Sequence, residues 1–404
     1  MRLLSAPKRL KLAYLPVAIG ALMLFVPWFF FAWNITVAQV LPKLQFRTNK
    51  TLAGVIRDAG PQFGFANLTN YKYQTYVSRL IGEMSPVYKP AIRWKNQLYY
   101  SAFGMSGMPG IIVGAGNQLY QPEYLKEFCA RRVEDYGAKA EAWAAKIRTM
   151  QDFFQTRGKL FLYVITPSKP AVYPSVVPPG YPCPSTEQAR REKLPMWTAT
   201  LDRAGVHYVD TASLVAQARD AYPISMFPRG GVHWNRLAAS LGAQAVTAAA
   251  NRLRGGQLLT PFTITWERAF TPEQSDRDIL DILNLMYPDK RYEVPVVALH
   301  SDPPPECRPA RITEVAGSFL FLLDDALMSV ACPPVISNWF YWDLKHFRFP
   351  GGTTNPLPVD AAERSRALLT DLDLMIYEEN EAVTPEPPHG LRLLEFIAAQ
   401  NPRS

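Results

Sequence analysis

One stretch constrains this chain before anything else does. From Leu12 to Trp33 (LAYLPVAIGALMLFVPWFFFAW) 22 residues pass without a charge, and none follows until Lys43. A helix needs about 20 such residues to cross the hydrocarbon core of a bilayer. Arg2, Lys8, Arg9 and Lys11 precede the run. By the positive-inside rule they keep residues 1–11 in the cytoplasm and export everything beyond a span at 12–33. Trp28 and Trp33 fall where an outer interfacial belt belongs, and membrane helices tolerate prolines such as Pro16 and Pro27. A cleaved signal peptide is the competing reading. Thr36-Val37-Ala38 is a passable small-x-small site, but the apolar run exceeds the usual ~7–15 residues. No second run approaches spanning length. The expectation is a single-pass inner-membrane protein with a large periplasmic body.

The rest of the 404 residues suits a folded body. Charged residues make up 19% and the apolar set 48%, which excludes a disordered chain. The net charge of +8 is spread out, with no Lys/Arg run of the kind that tracks phosphates, so nucleic acid is not an expected partner. The 36 prolines and 23 glycines speak for many irregular connections and against a polytopic bundle or a solenoid.

Residues 34–99 carry mixed, weak signals and read as a juxtamembrane region; the body is expected over 100–404. Ile111–Gly114 with Leu119–Tyr120 reads as a short hairpin. Helices are expected over 136–157, 187–204, 211–221 and 235–254, the last with Asn235 as N-cap. A short helix opening with acidic residues follows at 275–285, then helices at 319–330 and 391–399. Between them lie strands at 159–166, 207–210, 311–317 and 372–377. Such alternation specifies a parallel sheet covered by helices on both faces. Four cysteines in an exported body allow two disulfides. Cys307 precedes a strand and Cys332 ends the helix returning beside it, which makes Cys307–Cys332 reachable and leaves Cys129–Cys183. Reduced, buried cysteines are the alternative. None has metal-type spacing, and no metal or nucleotide motif is present.

Two residues stand out chemically. His233, in Phe227-Pro-Arg-Gly-Gly-Val-His-Trp-Asn235, sits where a Pro/Gly-rich loop enters a long helix, a junction that in α/β sheets gathers at the ligand crevice. Ser318, in Val315-Ala-Gly-Ser-Phe319, sits at a strand-to-helix turn. There the following helix N-terminus offers free N–H groups and a positive dipole end, which suits a serine nucleophile. The alternative for each is structural: a satisfied histidine, and a serine capping its helix.

Together these pieces resemble the SGNH-hydrolase-like domain of the alginate O-acetyltransferase family, the AlgJ/AlgX type. The order matches: a histidine in an His-Trp pair entering a helix, then a Gly-Ser-Phe element on a later strand. Gly110-Ile-Ile-Val-Gly114 with Gln118-Leu-Tyr120 and Glu123-Tyr-Leu125 is similar to the family's opening hairpin. Val164-Ile-Thr-Pro-Ser-Lys169 with Tyr173-Pro174 is similar to its strand-plus-P-x-K signature, and Tyr377-Glu-Glu-Asn-Glu381 to its late strand end. The resemblance runs over roughly 100–400.

It implies a three-layer α/β fold with a central parallel sheet, an N-terminal anchor, and no cofactor. It further implies acetyl transfer through Ser318, with His233 as general base, to hydroxyls of an exported polysaccharide. A multi-pass membrane O-acyltransferase would supply the acetyl group. Where the family carries Asp two residues before the histidine, this chain has Gly231. Asp210 is a candidate to orient the imidazole in its place, as are Asp324 and Asp325. Asn380, Gly317 and Trp234 are candidates for the oxyanion or substrate, and Trp339, Tyr341 and Trp342 for sugar stacking. The missing aspartate also supports a second reading, a weakened glycan-binding or scaffolding subunit of an export complex.

Overall fold

A computed structural model describes residues 14–41, 51–54, 60–61, 64–84, 87–353 and 356–400. The basic residues at 2, 8, 9 and 11 that set the expected orientation lie outside these. The chain divides into two compact units.

The first unit comprises residues 1–109 and 281–288. Its first helix, Leu15–Val40, is 26 residues long and carries no charged side chain. At 1.5 Å per residue it spans about 39 Å. Among the described residues no helix is long and apolar enough to cross a membrane. Positions 12 and 13 of the expected span, and the side chains at 23, 24, 27 and 31, are outside that set. Three further helices follow at Phe65–Thr69, Lys72–Met84 and Tyr88–Phe103. The returning segment 281–288 is tied in by side-chain amides. Asn96, fully buried, donates to the Leu283 carbonyl at 2.8 Å, and Asn284 accepts from the Ala53 N–H at 2.8 Å.

The second unit, 110–280 with 289–404, carries the sheet. Strands β1 (Ile112–Val113) and β2 (Leu119–Tyr120) form the expected opening hairpin. The central sheet takes β3 (Leu160–Thr166) and β4 (Tyr208–Asp210). An antiparallel ribbon, β5 (Thr263–Ala269) with β6 (Val294–His300), stands apart from it. Back in the central sheet lie β7 (Arg311–Ala316), β8 (Val335–Phe340), β9 (Lys345–Phe349) and β10 (Leu374–Asn380). The order is β4-β3-β10-β7-β8-β9, parallel throughout except for the last pair.

Alternate side chains explain why the strands read as nearly unbroken apolar runs. Leu162 and Val164 of β3 and Leu374 and Ile376 of β10 enter one core, with the Arg236–Arg254 and Leu320–Leu327 helices. Phe161, Tyr163 and Ile165, with Met375 and Tyr377, enter the other, against the Val133–Gln155, Glu187–Ala204 and Pro388–Gln400 helices. The expected three layers are present.

Both expected disulfides form, Cys129–Cys183 and Cys307–Cys332, with Cα–Cα separations of 4.3 and 5.6 Å. Such bonds belong to an oxidising, extracytoplasmic compartment. Strands β8 and β9 were not legible as strands. They are joined through Tyr341 (φ 46°) and Trp342 (φ 72°), two bulky residues in the left-handed region where a hairpin normally carries Asn or Gly. That turn also corrects the sugar-stacking expectation. Trp339 is fully buried with its ring stacked 3.9 Å from His346, and Trp342 is in the core, so only Tyr341 keeps substantial exposure.

Beneath the β7 end lies a buried acid pair. Glu314 of β7 and Asp324 of the Leu320–Leu327 helix are fully enclosed, and neither has an ion-pair partner among the described residues. Burial, and for Asp324 also its neighbour Glu314, pushes Glu314 up to about 7 and Asp324 well above the ordinary carboxylate value. A carboxyl group raised in the folded state stabilises below its unfolded pKa, and that contribution is lost as pH rises through the folded value. Urea unfolding of the full chain should therefore show stability falling between about pH 5 and pH 8. Glu314→Gln should flatten the fall, leaving a residue from Asp324, which burial still raises, and from Glu379, which burial raises to about 7. A wild-type midpoint that rises over this window would refute the pair's neutral state.

Candidate active site

The carboxyl ends of β3, β10 and β7 meet along one edge of the sheet, and the chemistry gathers there. Strand β7 ends at Ala316, and Ser318 follows on the turn into the Leu320–Leu327 helix. The capping alternative fails. Phe319 holds the cap position and the helix start has no side-chain cap bond. The Ser318 hydroxyl instead lies 2.7 Å from His233 Nε2.

His233 arrives from the other expected direction, two residues before Asn235, the cap of the Arg236–Arg254 helix, whose side chain accepts from the Ala238 N–H at 3.0 Å. Its Nδ1 lies 2.6 Å from Asp278 Oδ2. A carboxylate there accepts the Nδ1 proton and leaves the Nε2 lone pair facing the serine oxygen. Asp278 Oδ1 accepts from the Val232 N–H at 3.0 Å and the Ile279 N–H at 2.7 Å, which fixes the carboxylate on the loop it serves. The Phe319 ring closes one side of the imidazole at 4.9 Å.

The orienting carboxylate is thus Asp278, which the sequence reading passed over inside a short acidic helix. Asp210 is corrected to a helix cap: its Oδ1 accepts from the Ser213 N–H at 2.8 Å at the start of Thr211–Ala221. Asp324 is spent in the acid pair, and Asp325 is half-buried near the Arg236 charge. Gly231 explains the exchange. A Cβ there would collide with the Ser275 carbonyl oxygen and come to 2.9 Å from the Pro228 ring. The backbone that delivers Asp278 occupies the space an aspartate at 231 would need.

Three further expectations are also corrected. The Gly317 N–H is not free for an oxyanion, because it donates to Glu378 Oε2 at 2.7 Å. The Asn380 amide donates to the Pro167 carbonyl at 2.7 Å, and its oxygen accepts from the Ala382 N–H. Trp234 is fully buried and its indole N–H donates to the Phe319 carbonyl at 2.9 Å, so it braces the turn after the serine.

Two groups beside the serine had no sequence signal of this role. Tyr341 lies beside Ser318, its phenol crowding the Cβ position of Gly317, and burial and Glu378 raise its pKa. Glu378 is buried between the Thr166 hydroxyl and the Gly317 N–H, and burial raises its carboxyl. No three metal-ligating side chains come together among the described residues.

Residues 124–301 match the family model described as the SGNH hydrolase-like domain of the acetyltransferase AlgX. His233 and Asp278 lie inside the matched stretch and Ser318 beyond its end. Among solved structures, the chain is similar to the O-acetyltransferase domain of AlgJ from Pseudomonas putida. The identity there is 17%, over 72% of this chain and 100% of that one, with a TM-score of 0.45. AlgX from Pseudomonas aeruginosa gives 12% identity, 76% and 70% coverage and a TM-score of 0.44. No curated protein sequence matches.

Returning the family's aspartate to its place should harm this protein. Gly231→Asp should lower the melting temperature, and in combination with Asp278→Asn it should restore no reactivity of Ser318 toward a serine-directed sulfonyl fluoride. Recovery of labelling in the double variant would show that position 231 can serve the imidazole. Over residues 124–301 this chain is thus similar to the AlgX-type SGNH hydrolase-like acetyltransferase domain.

Proposed function

We propose that this protein is a membrane-anchored periplasmic O-acetyltransferase that moves acetyl groups to hydroxyls of an exported polysaccharide through an acetyl-serine. The observation that carries the reading is the continuous run of hydrogen-bonding distances from Asp278 through His233 to Ser318, 2.6 and 2.7 Å. Such a row activates a hydroxyl that is otherwise a poor nucleophile.

In the first half, Ser318 Oγ attacks the acetyl carbonyl carbon while His233 Nε2 takes its proton. The tetrahedral adduct then expels the donor's oxygen, which leaves with that proton. In the second half, a sugar hydroxyl attacks the acetyl-serine, His233 takes the sugar's proton, and Ser318 leaves with it. Negative charge on the carbonyl oxygen would be met by the positive end of the Leu320–Leu327 helix, whose Phe321 N–H is itself engaged by the Ser318 carbonyl, and by the nearby Tyr341 phenol. Asp278 stabilises the imidazolium formed in each half.

Support for the anchor is the charge-free run at 12–33 with basic residues before it, together with a helix from Leu15 to Val40. The 34–99 stretch would then join the membrane to a working domain over 100–404. Support for the compartment is the disulfide pair. A multi-pass acyltransferase remains the fitting donor, since acetyl groups for a periplasmic serine must cross the membrane. The scaffolding reading rested on Gly231, and a carboxylate 2.6 Å from Nδ1 takes that ground away.

Incubation of the full chain in detergent with a chromogenic acetyl ester should add one acetyl mass to the Ser318 peptide. Ser318→Ala and His233→Ala should abolish it. Asp278→Asn should slow it by on the order of 10⁴-fold, as loss of the orienting acid does in serine triads. Asp210→Asn, which touches only a helix cap, should acetylate at the parent's rate. A folded parent that gains no acetyl mass would return the weight to glycan binding or scaffolding.

A further inference from the structure

Lys169 is the most unusual charged group in the second unit. Its side chain is fully buried, and no carboxylate is among its hydrogen-bond partners. The ammonium donates instead to four backbone carbonyls: Pro228 at 2.7 Å, Gly231 at 3.0 Å, Leu119 at 3.1 Å and Arg229 at 3.2 Å. Three of the four belong to the turn that leads into His233. The remaining carbonyl of that turn, Gly230, accepts from the Leu280 N–H at 2.9 Å, and the next N–H, that of Val232, is held by Asp278. The loop before the histidine is therefore gripped from two sides, by Lys169 and by the segment 278–280.

We infer that Lys169 is a positioning residue for His233: its charge gathers the Pro228–Gly231 carbonyls into a cage and so sets the imidazole between Asp278 and Ser318. The inference rests on the proposed acyl-transfer role for its catalytic meaning, but its geometric content stands apart from it. Carbonyl oxygens repel one another, and three of them from one short turn converge only on a cation or on donors. A neutral side chain of the same length takes the donor from the Gly231 carbonyl and leaves those of Pro228 and Arg229 with one backbone N–H each, from Gly231 at 3.4 Å and Leu119 at 3.0 Å, and the turn relaxes. A misplacement of about 1 Å at a catalytic group can cost on the order of 10²-fold in rate. The groups facing the ammonium are Asp278, which favours its charge, Arg229, which opposes it, and the Tyr120 ring, 5.3 Å from Nζ. Burial is the largest influence and pulls the lysine down to about 7, so the cage loses its charge as pH rises.

The test uses the full chain in detergent, with Lys169→Met and Lys169→Arg beside the parent. Two readouts are needed. One is the imidazole proton shared with Asp278, followed by proton NMR downfield of the amides. The other is kcat and KM for a chromogenic acetyl ester. Lys169→Met should lose the shared proton and drop kcat on the order of 10²-fold at unchanged KM. Lys169→Arg, which restores the charge, should keep the proton and recover most of the rate. If Lys169→Met does not fold, the parent decides: its shared proton should disappear with rising pH while its circular dichroism persists, and Lys169→Arg should keep the proton at that pH. A folded Lys169→Met with the proton and kcat intact overturns the inference, as does a parent proton that survives to the pH of unfolding. Should no protein turn over ester while the NMR pattern holds, the acyl-transfer reading fails and the cage stands.

Discussion

Strand β10 is the constraint on which the rest of the structure depends. All seven of its residues, Leu374–Asn380, are buried, and it is paired in parallel along its length with β3 and over its first residues with β7. A strand enclosed on both faces has no place for polar side chains except at its end, where the sheet edge begins. There the chain puts Glu378, Glu379, Asn380 and Glu381 in succession, each satisfied by named partners. Glu378 takes the Thr166 hydroxyl from β3 and the Gly317 N–H from the β7 end. Glu379 takes the Trp143 indole and the Tyr163 phenol. Glu381 takes Arg131 and the Ser168 hydroxyl. These bonds lock three strand ends to one another, and Ser318 is the residue that emerges beside them.

A serine held so rigidly meets an imidazole delivered with equal precision from another part of the chain. The loop 228–232 does this as a suspended turn rather than a packed one, held by Lys169 on one side and Asp278 on the other. Gly231 belongs to that arrangement, since the Ser275 carbonyl fills the space of a side chain. The orienting acid therefore arrives from the segment that crowds position 231. The same requirement, a carboxylate on Nδ1, is met by a residue 45 positions later than the base. What constrains such a site is the place of the charge, and more than one stretch of backbone can bring it there.

Much of this was readable in the residues. Alternating apolar blocks announced β3, β7 and β10 and the helices around them, because burial on both faces leaves a continuous apolar signature. Asn235 announced its helix because a cap is a local device. His233 and Ser318 stand out in the sequence because each lies at a junction between elements. Strands β8 and β9 escaped because their turn uses Tyr341 and Trp342 where glycine would have marked it. Asp278 escaped because it sits among Asp276, Arg277 and Asp281, in a run that reads as a solvated helix start.

The sequence by itself determined the charge-free N-terminal run, the two-faced parallel sheet and the junctions that carry Ser318 and His233, and it made the observed cysteine pairing reachable. Each of these is written in spacing along the chain. Only the tertiary structure decided which aspartate meets the imidazole, which backbone donors remain free, and which aromatics stay exposed. Those choices depend on residues far apart in sequence competing for the same few ångströms, and no local pattern records the outcome of that competition.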